Sequence, residues 1–417
     1  MLFSDMASFF AIFFVIICNF VVEMTQIALF NAQHDLALAH GRINYVPNAQ
    51  VSQLLLDLQW LPLWYAPVAS RVLVYDKSSA DALWANRCAA ILGEDWQRRL
   101  LPQFTFTTLL KRGEDCLIEP WGWDLSLRHR LALWGVNVPT VAQLECWRGL
   151  SHRRLTMQML NAMGEPEGVG TCPQEMCSLS EVERYVTEHG ECFVKAPWSG
   201  SGRGVFHVAA ASVNDFASVI SGIIKRQGSV MCERALDRTL DFAIELKIES
   251  GKVMVTGYSV FTTDEHHQFG GSLVMPHDEL RLWLLARCPD LDEVQRRLVE
   301  AVGQLVAPHY EGVLGVDMML YRDKAGVERV APCVEVNLRH TMGMVAWALG
   351  ERVLAPGRVG RFKTEFAPAG IVRQGPEPQI EEGKLRGGRL YLTPVEEGVT
   401  KFAAFLEIED ASAQIVE

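Results

Sequence analysis

The sequence predicts a mixed chain: an N-terminal α/β domain over residues 24–150, then an α+β domain over 151–352, completed by a C-terminal extension over 353–417. Three observations predict it. In the first part, the strand-length apolar runs Ile27–Asn31 and Arg71–Tyr75 alternate with the helical patterns Ala80–Leu92 and Asp124–Trp134, the latter stopped by Gly135. In the middle, Cys192–Lys195 and Val205–Ala209 read as strands joined by a glycine-rich turn. Further on, two hairpins follow, Leu240–Ile248 with Lys252–Phe261 around Ser250-Gly251, and Val313–Tyr321 with Val330–Asn337 around Asp323–Gly326.

The remaining elements fill this frame. Ser151 is expected to cap a basic helix beginning at His152, and Gly164–Gly170 to be a loop. Glu181–Glu188 reads as a helix ended by Gly190, and Val213–Gln227 as a helix capped by Ser212 and followed by the strand Ser229–Glu233. Leu291–Val306 and Met342–Gly350 are further helices, and the tail is rich in Pro, Gly and Glu up to Leu390.

Composition bounds the function. Of the 417 residues, 49% are hydrophobic and 21% charged, enough apolar material for a large core. The net charge of -11, with no long basic run, argues against a nucleic-acid partner, whose binding is driven by basic charge. The 10 cysteines form no C-x-x-C pair and read as reduced core residues, which suits a cytoplasmic location. Residues 1–23 are apolar from Ala7 to Val22, too short to span a bilayer comfortably, and lack a basic start. They are read as a mis-called extension ahead of a true start at Met24, with a short membrane anchor as the rival reading. The sequence is silent on oligomeric state.

The segment Lys195-Ala196-Pro197-Trp198-Ser199-Gly200-Ser201-Gly202-Arg203-Gly204-Val205 stands out. Its glycines let backbone approach a phosphate and aim several N–H groups at it. A P-loop is excluded because Val205 follows Gly204, and a dinucleotide fingerprint because a strand follows instead of a helix. The loop therefore caps a hairpin as a flap, with Lys195 ending the strand that leads into it. A surface hairpin with a solvated lysine is the ordinary alternative.

A second cluster is acidic. Glu335 and Asn337 are two apart on one strand and share a face, leaving Val334 and Val336 for the core. Asp317 lies mid-strand among apolar neighbours, where an uncompensated carboxylate is costly. If the strands pair, Asp317, Glu335 and Asn337 form an oxygen cluster suited to magnesium; structural salt bridges to Arg339 or another base are the alternative. His34-Asp35 follows the first strand, a position where α/β folds bind ligands, and reads as substrate contact or loop cap. His266-His267 reads as a solvated pair, and the tryptophans at 60, 64, 121, 123 and 134 as core and loop anchors.

In this order the segments from Ser151 to Gly350 resemble the ATP-grasp superfamily and look carboxylate–amine ligase-like. The resemblance implies that two subdomains clamp ATP. Lys195 would contact the nucleotide phosphates and the adenine side. Ser199, Gly200, Ser201, Gly202, Arg203 and Gly204 would fold over the phosphates. Glu233 would meet the adenine amino group, and the backbone of Arg234, Ala235 and Leu236 the adenine edge. Asp241 would bind ribose, although the family more often has Glu there. Asp317, Glu335 and Asn337 would hold two Mg2+ ions, with Mn2+ as a substitute. Arg339 would steady the transferred phosphoryl group. The second basic residue of the family is supplied by Arg153 or Arg154.

The implied reaction is ADP-forming: ATP phosphorylates a small-molecule carboxylate, and an amine displaces phosphate. The N-terminal domain, with His34, Asp35, Asn44 and Tyr45, would help bind these substrates. A small-molecule kinase and a nucleotide-binding regulator without turnover are the rival readings.

Overall fold

Short apolar runs rich in β-branched residues become the strands of a parallel sheet at the start of the chain. The computed structural model describes residues 25–77, 79–104, 116–165, 172–200, 202–264 and 268–408; the expectations for residues 1–23, Ser201 and His266-His267 lie outside the described residues. Strands β1 (Thr25–Leu29), β2 (Arg71–Val74), β3 (Leu100–Pro102) and β4 (Cys116–Pro120) pair in parallel in the order β3-β2-β1-β4. The order reverses between β1 and β4, so their C-terminal ends border a crevice. Asn31 bridges it, donating from Nδ2 to Gly122 O at 2.7 Å. Helix Leu125–Leu133 is capped by Asp124, which accepts from Ser126 N and Leu127 N.

A small antiparallel sheet follows, from β5 (Gln174–Met176), β6 (Cys192–Lys195), β7 (Val205–Val208) and β8 (Val230–Arg234), in the order β5-β8-β6-β7. Helices Leu179–His189 and Val213–Gln227 bury Val182, Val186, Ile220 and Ile223 against it. Ser178 and Glu181 form a reciprocal capping box on the first helix.

The third unit is an eight-stranded sheet. It contains β9 (Asp237–Glu249), β10 (Lys252–Thr263), β11 (Phe269–Val274), β12 (Gly312–Arg322), β13 (Glu328–Asn337) and β14 (Gly360–Phe366). After the two-stranded ribbon β15 (Gln379–Glu381) and β16 (Lys384–Gly387), β17 (Arg389–Tyr391) and β18 (Phe402–Ile408) complete the large sheet in the order β13-β12-β9-β10-β11-β14-β18-β17. Ser250 and Gly251 turn β9 into β10 with φ of 51° and 72°, the backbone twist a two-residue hairpin needs. Helices Arg154–Ala162, His277–Leu285 and Leu291–Leu305 cover one face. The helix Met342–Arg352 packs against β10 and β11 on the other side, beside the N-terminal unit.

Three local expectations are corrected. Ser151 ends helix Val141–Leu150 instead of opening the next; its Oγ donates to Trp147 O, and His152 Nδ1 accepts from Arg154 N at the true helix start. Ser212 stands before its helix but bonds back to Ala209, so it does not cap. Val334 lines a cleft and is only half-buried, because pairing shifts between Asp317–Glu335 and Met319–Ala331 and breaks the alternation there. The described cysteines are all free thiols, and no helix among the described residues is long and apolar enough to cross a membrane.

The tail packs on the N-terminal unit. Trp64 Nε1 donates to Leu392 O at 2.6 Å and Trp84 Nε1 to Tyr391 O at 3.0 Å, within one core shared by Trp60, Trp96, Leu390 and Phe405. Trp64→Ala would leave a large cavity and orphan the Leu392 carbonyl. It is expected to lower stability by about 3–5 kcal/mol, read as a lower denaturant midpoint.

Candidate functional site

All three units contribute to one cleft of about 590 Å³. Its walls carry Lys195 and Glu233 from the small sheet, and Asp241, Glu245, Asp317, Glu335 and Asn337 from the large one. Asp35 and Trp121 come from the ends of the parallel sheet.

Register explains the small-sheet side. Phe193 pairs with Glu233 and Lys195 with Met231, so Lys195 and Glu233 are diagonal neighbours on one face. They form a largely buried ion pair. The chain then leaves β8 through Arg234, Ala235 and Leu236 to reach β9. Arg234 and Leu236 line the cleft, whereas Ala235 donates its N–H to Glu191 O at 3.0 Å. That donor is therefore spent within the small sheet. Asp241 is paired with Arg238 at 2.6 Å, a partner the sequence reading did not single out; burial still raises the Asp241 carboxyl above its usual range.

The glycine loop closes on itself as a hairpin cap, with Ala196 N donating to Gly204 O at 2.8 Å and Arg203 N to Gly200 O at 3.2 Å. Gly202 and Gly204 have φ of 70° and 76°, which side chains rarely adopt. A β-carbon on Gly200 would overlap the Asp35 carboxylate, so the loop's bare backbone touches the N-terminal unit. Gly200 and Gly202 line the cleft, Ser199 borders a small adjoining pocket, and Arg203 is exposed.

The two consecutive arginines diverge. Arg153 reaches into the cleft, donating to Ala196 O at 2.6 Å, to Ser199 Oγ, and to Glu335 Oε1 at 2.8 Å. Arg154 forks onto Glu175 outside it. Arg153 thus ties the base of the flap to the large sheet.

On the large sheet Asp317 lies directly opposite Glu335, and Gly315 opposite Asn337. Asn337 Nδ2 donates to Asp317 Oδ2 at 3.1 Å. Burial and the carboxylates of Glu335 and Glu245 push the Asp317 carboxyl well above its ordinary value. Among the described residues no three His, Cys, Asp or Glu gather as a metal site. The set is two carboxylates and a carboxamide, hard oxygen donors under mutual repulsion, which fits a magnesium ion that also draws on phosphate oxygens. Arg339 is partly buried; burial works against its charge, but Asp35, Glu335 and Asp317 hold it protonated, with Asp35 Oδ1 accepting at 3.0 Å.

Of the residues expected from the N-terminal unit, Asp35 reaches the cleft. His34 is buried against Gly122 with its imidazole pushed down by burial, and Asn44 and Tyr45 do not line the cleft.

Sequence reading missed Glu245. It is 0% exposed, faces the cleft, and accepts from Thr341 Oγ1 at 2.8 Å and Ser259 Oγ at 2.9 Å. The available signal was a lone glutamate within the apolar run Phe242–Leu246.

No protein-family profile matches the sequence, and no curated protein matches it. Solved structures do. The biotin carboxylase–βγ-ATP complex from Campylobacter jejuni matches at TM-score 0.53 and 12% identity, covering 93% of this chain and 88% of that one. Phosphoribosylamine–glycine ligase from Thermotoga maritima matches at 0.52 and 12%, covering 93% of each. The biotin carboxylase domain of a Hydrogenobacter thermophilus 2-oxoglutarate carboxylase, solved with MgADP, ADP and bicarbonate, matches at 0.51 and 13%, covering 81% of this chain and 85% of that one. The chain has the ATP-grasp fold, and the likeness extends beyond residues 151–350 into the terminal units.

The buried glutamate has a measurable consequence. Burial outweighs the Thr341 and Ser259 hydrogen bonds and the Arg339 cation, and pushes the Glu245 carboxyl up to about 7; Asp317 is the other charged group near it. An unfolded-chain glutamate titrates near ~4.3. Between these values the folded state keeps a proton that the unfolded state has released, so stability falls as pH rises. Glu245→Gln lacks this loss. Its stability relative to wild type is expected to improve by about 2 kcal/mol between about pH 5 and about pH 8, read from denaturant midpoints.

Proposed function

We propose that this protein is an ATP-dependent, ADP-forming ligase that activates a small-molecule carboxylate as an acylphosphate for attack by an amine. One observation carries the reading. Lys195 and Glu233 on one sheet face Asp317, Glu335, Asn337 and Arg339 across a single cleft, under a glycine flap.

On this reading residues 151–352 form the nucleotide clamp, 353–417 complete it, and 24–150 form the acceptor side. Adenine lies against the β8–β9 connection, between Glu233 and the backbone of Arg234 and Leu236. The Ala235 N–H is already engaged, so that edge contact falls to its neighbours. Asp241 takes the ribose, exchanging Arg238 for a hydroxyl. Lys195 and Arg153 turn from their carboxylates to phosphate oxygens as charge-assisted donors. Gly200, Gly202 and Gly204 let the flap backbone approach the phosphates without side-chain obstruction.

Asp317, Glu335 and Asn337 would hold Mg2+, as two ions or with Mn2+ in its place, which supplies charge neutralisation for phosphoryl transfer. Arg339, kept cationic in a partly buried setting, stabilises charge on the transferred group. Positioning and electrostatics suffice, and no protein nucleophile is needed.

The test is turnover with Mg-ATP, a pool of amino acids as carboxylates, and hydroxylamine as nucleophile. Formation of ADP with a hydroxamate is expected. A stable phosphorylated product would mark a kinase instead, and nucleotide binding without turnover a regulator.

Removing the metal donors together, as Glu335→Ala with Asn337→Ala, is expected to lower turnover by at least about 100-fold. Unchanged magnesium-dependent turnover would overturn the assignment. Lys195→Ala is expected to weaken ATP binding about tenfold, measured by calorimetry.

A further inference from the structure

The cleft has two apolar walls, and a single adenine ring uses one of them. Phe193, opposite Glu233, and Leu236, in the β8–β9 connection, border the place assigned to the base. A second set, Ala32, Phe261, Phe269 and Met342, also lines the cleft, and all four are half-buried. This second wall carries no charge and offers nothing to phosphate or magnesium.

Strand order separates the two walls. Across the large sheet the metal donors lie on β13 and β12, Asp241 on β9, and Phe261 and Phe269 on β10 and β11. Phe261 is directly opposite Asp241, so the second wall begins where the ribose acid ends and continues away from the small sheet. Its polar neighbour Thr263 is engaged elsewhere, accepting from Arg238 Nη1 at 2.7 Å.

Phe269 joins this face through a break in the ladder. Phe261 pairs with Ser272 and Thr262 with Gly271, but Thr263 pairs with Phe269, which leaves Gly270 over as a bulge. Regular alternation from Ser272 would put residue 270 on the face of Phe261 and turn Phe269 away. The bulge is built on glycine. Gly271 has φ of 150°, and a β-carbon on Gly270 would come within 3.2 Å of Thr262 O. Behind Phe269 stands the fully buried Phe362, with ring centroids 5.9 Å apart.

The other two members come from the segments that meet at the Arg339–Asp35 pair. Ala32 lies three residues before Asp35, and Met342 three after Arg339. Gly343, next in the chain, abuts Glu245 of β9 and Ser259 of β10, so this segment has crossed from β13 toward the strand of Phe261. Ala32, Phe269 and Met342 pack against one core, which also contains Trp121. The wall therefore starts beside Arg339 and runs outward over β10 and β11.

We propose that Ala32, Phe261, Phe269 and Met342 seat a large apolar side chain of the carboxylate substrate, whose carboxylate lies at Arg339. The substrate class is a carboxylic acid bearing a branched aliphatic or aromatic group a few bonds from the carboxylate, as in a hydrophobic amino acid. Half-exposed apolar surface from four segments of chain gains by being covered, and an apolar group on the substrate covers it. The seat deepens the ligase reading and rests on it for the position of the carboxylate, but its apolar preference is measurable without turnover.

The experiment compares 4-methylpentanoate with succinamate, an acid of the same charge and shape whose far end is a carboxamide. Both are titrated by NMR into the full chain saturated with Mg2+ and a non-hydrolysable ATP analogue. Wild type is expected to bind 4-methylpentanoate at least about tenfold more tightly. Met342→Gln, of similar length, and Phe269→Thr are each expected to reduce that ratio about threefold or more, with affinity for the ATP analogue unchanged; Phe269→Leu is expected to retain it. Equal binding of the two acids by wild type, or binding of neither, would overturn the proposal. So would a ratio undiminished in both Met342→Gln and Phe269→Thr. Loss of ATP-analogue affinity by the same factor would also overturn it, because the wall would then belong to the nucleotide. The ligase reading is judged separately by hydroxamate formation. Hydroxamate without apolar preference removes the seat alone, and apolar preference without hydroxamate removes the ligase reading alone.

Discussion

Carboxylates from three separate units crowd into one poorly hydrated cleft, and none can remain ionised there without an opposing charge or a donor. This constraint organises the site. Lys195 answers Glu233 within the small sheet, Arg238 answers Asp241, Arg153 crosses from the base of the flap to Glu335, and Arg339 spans from the large sheet to Asp35. Pairs of this kind contribute little net stability compared with apolar packing, but breaking one partner leaves a buried charge and is expensive. They hold the separate units in register around the cleft. On the proposed reading, Lys195, Arg153 and Arg339 are the cations that phosphate would recruit, so their carboxylate partners act as stand-ins for the nucleotide.

The pairs differ in what they connect, and this matters for motion. Lys195–Glu233 is internal to the small sheet and can rearrange without moving it. Arg153 and Arg339 instead join different units. Arg153 holds the carbonyl of Ala196 and the hydroxyl of Ser199 together with Glu335, so exchange of that contact frees the flap side from the large sheet. Asp35 does the corresponding work on the other wall, where it contacts both Arg339 and the bare backbone of Gly200. The rigid counterpart is the shared core beneath. Trp60, Trp64 and Trp84 pack with Leu390, Leu392 and Phe405, which ties the first and last segments of the chain into one platform.

Much of this was legible in the sequence because it depends on short-range rules. Alternation predicted that Glu335 and Asn337 share a strand face, and glycine density predicted a hairpin cap at Ser199–Gly204. Ser250-Gly251 marked a tight turn. The small-residue and polar punctuation around 178–190 located a helix, although its actual N-cap, Ser178, lies just upstream of the predicted start. Local rules failed where a residue had two possible local partners. Ser151 and Ser212 have the chemistry of caps but bond backwards, because the preceding helix or turn offers a nearer carbonyl. At Val334 the alternation itself was interrupted by a shift in strand pairing, which no period-two reading can anticipate.

The sequence by itself determined the order of elements, the flap, the acids on one strand face and the likeness to the ATP-grasp fold, since all of these follow from residue type and spacing along the chain. Tertiary structure decided which groups meet. It turned Arg153 inward and its neighbour Arg154 outward, because successive residues at a helix start point in different directions. It engaged the Ala235 N–H with Glu191 and so narrowed the hinge contacts. It also made Glu245 part of the cleft, because the space for its carboxylate comes from the absent side chains of Gly315 and Gly343, residues 70 and 98 positions away that become neighbours when β9, β12 and the helix Met342–Arg352 pack together.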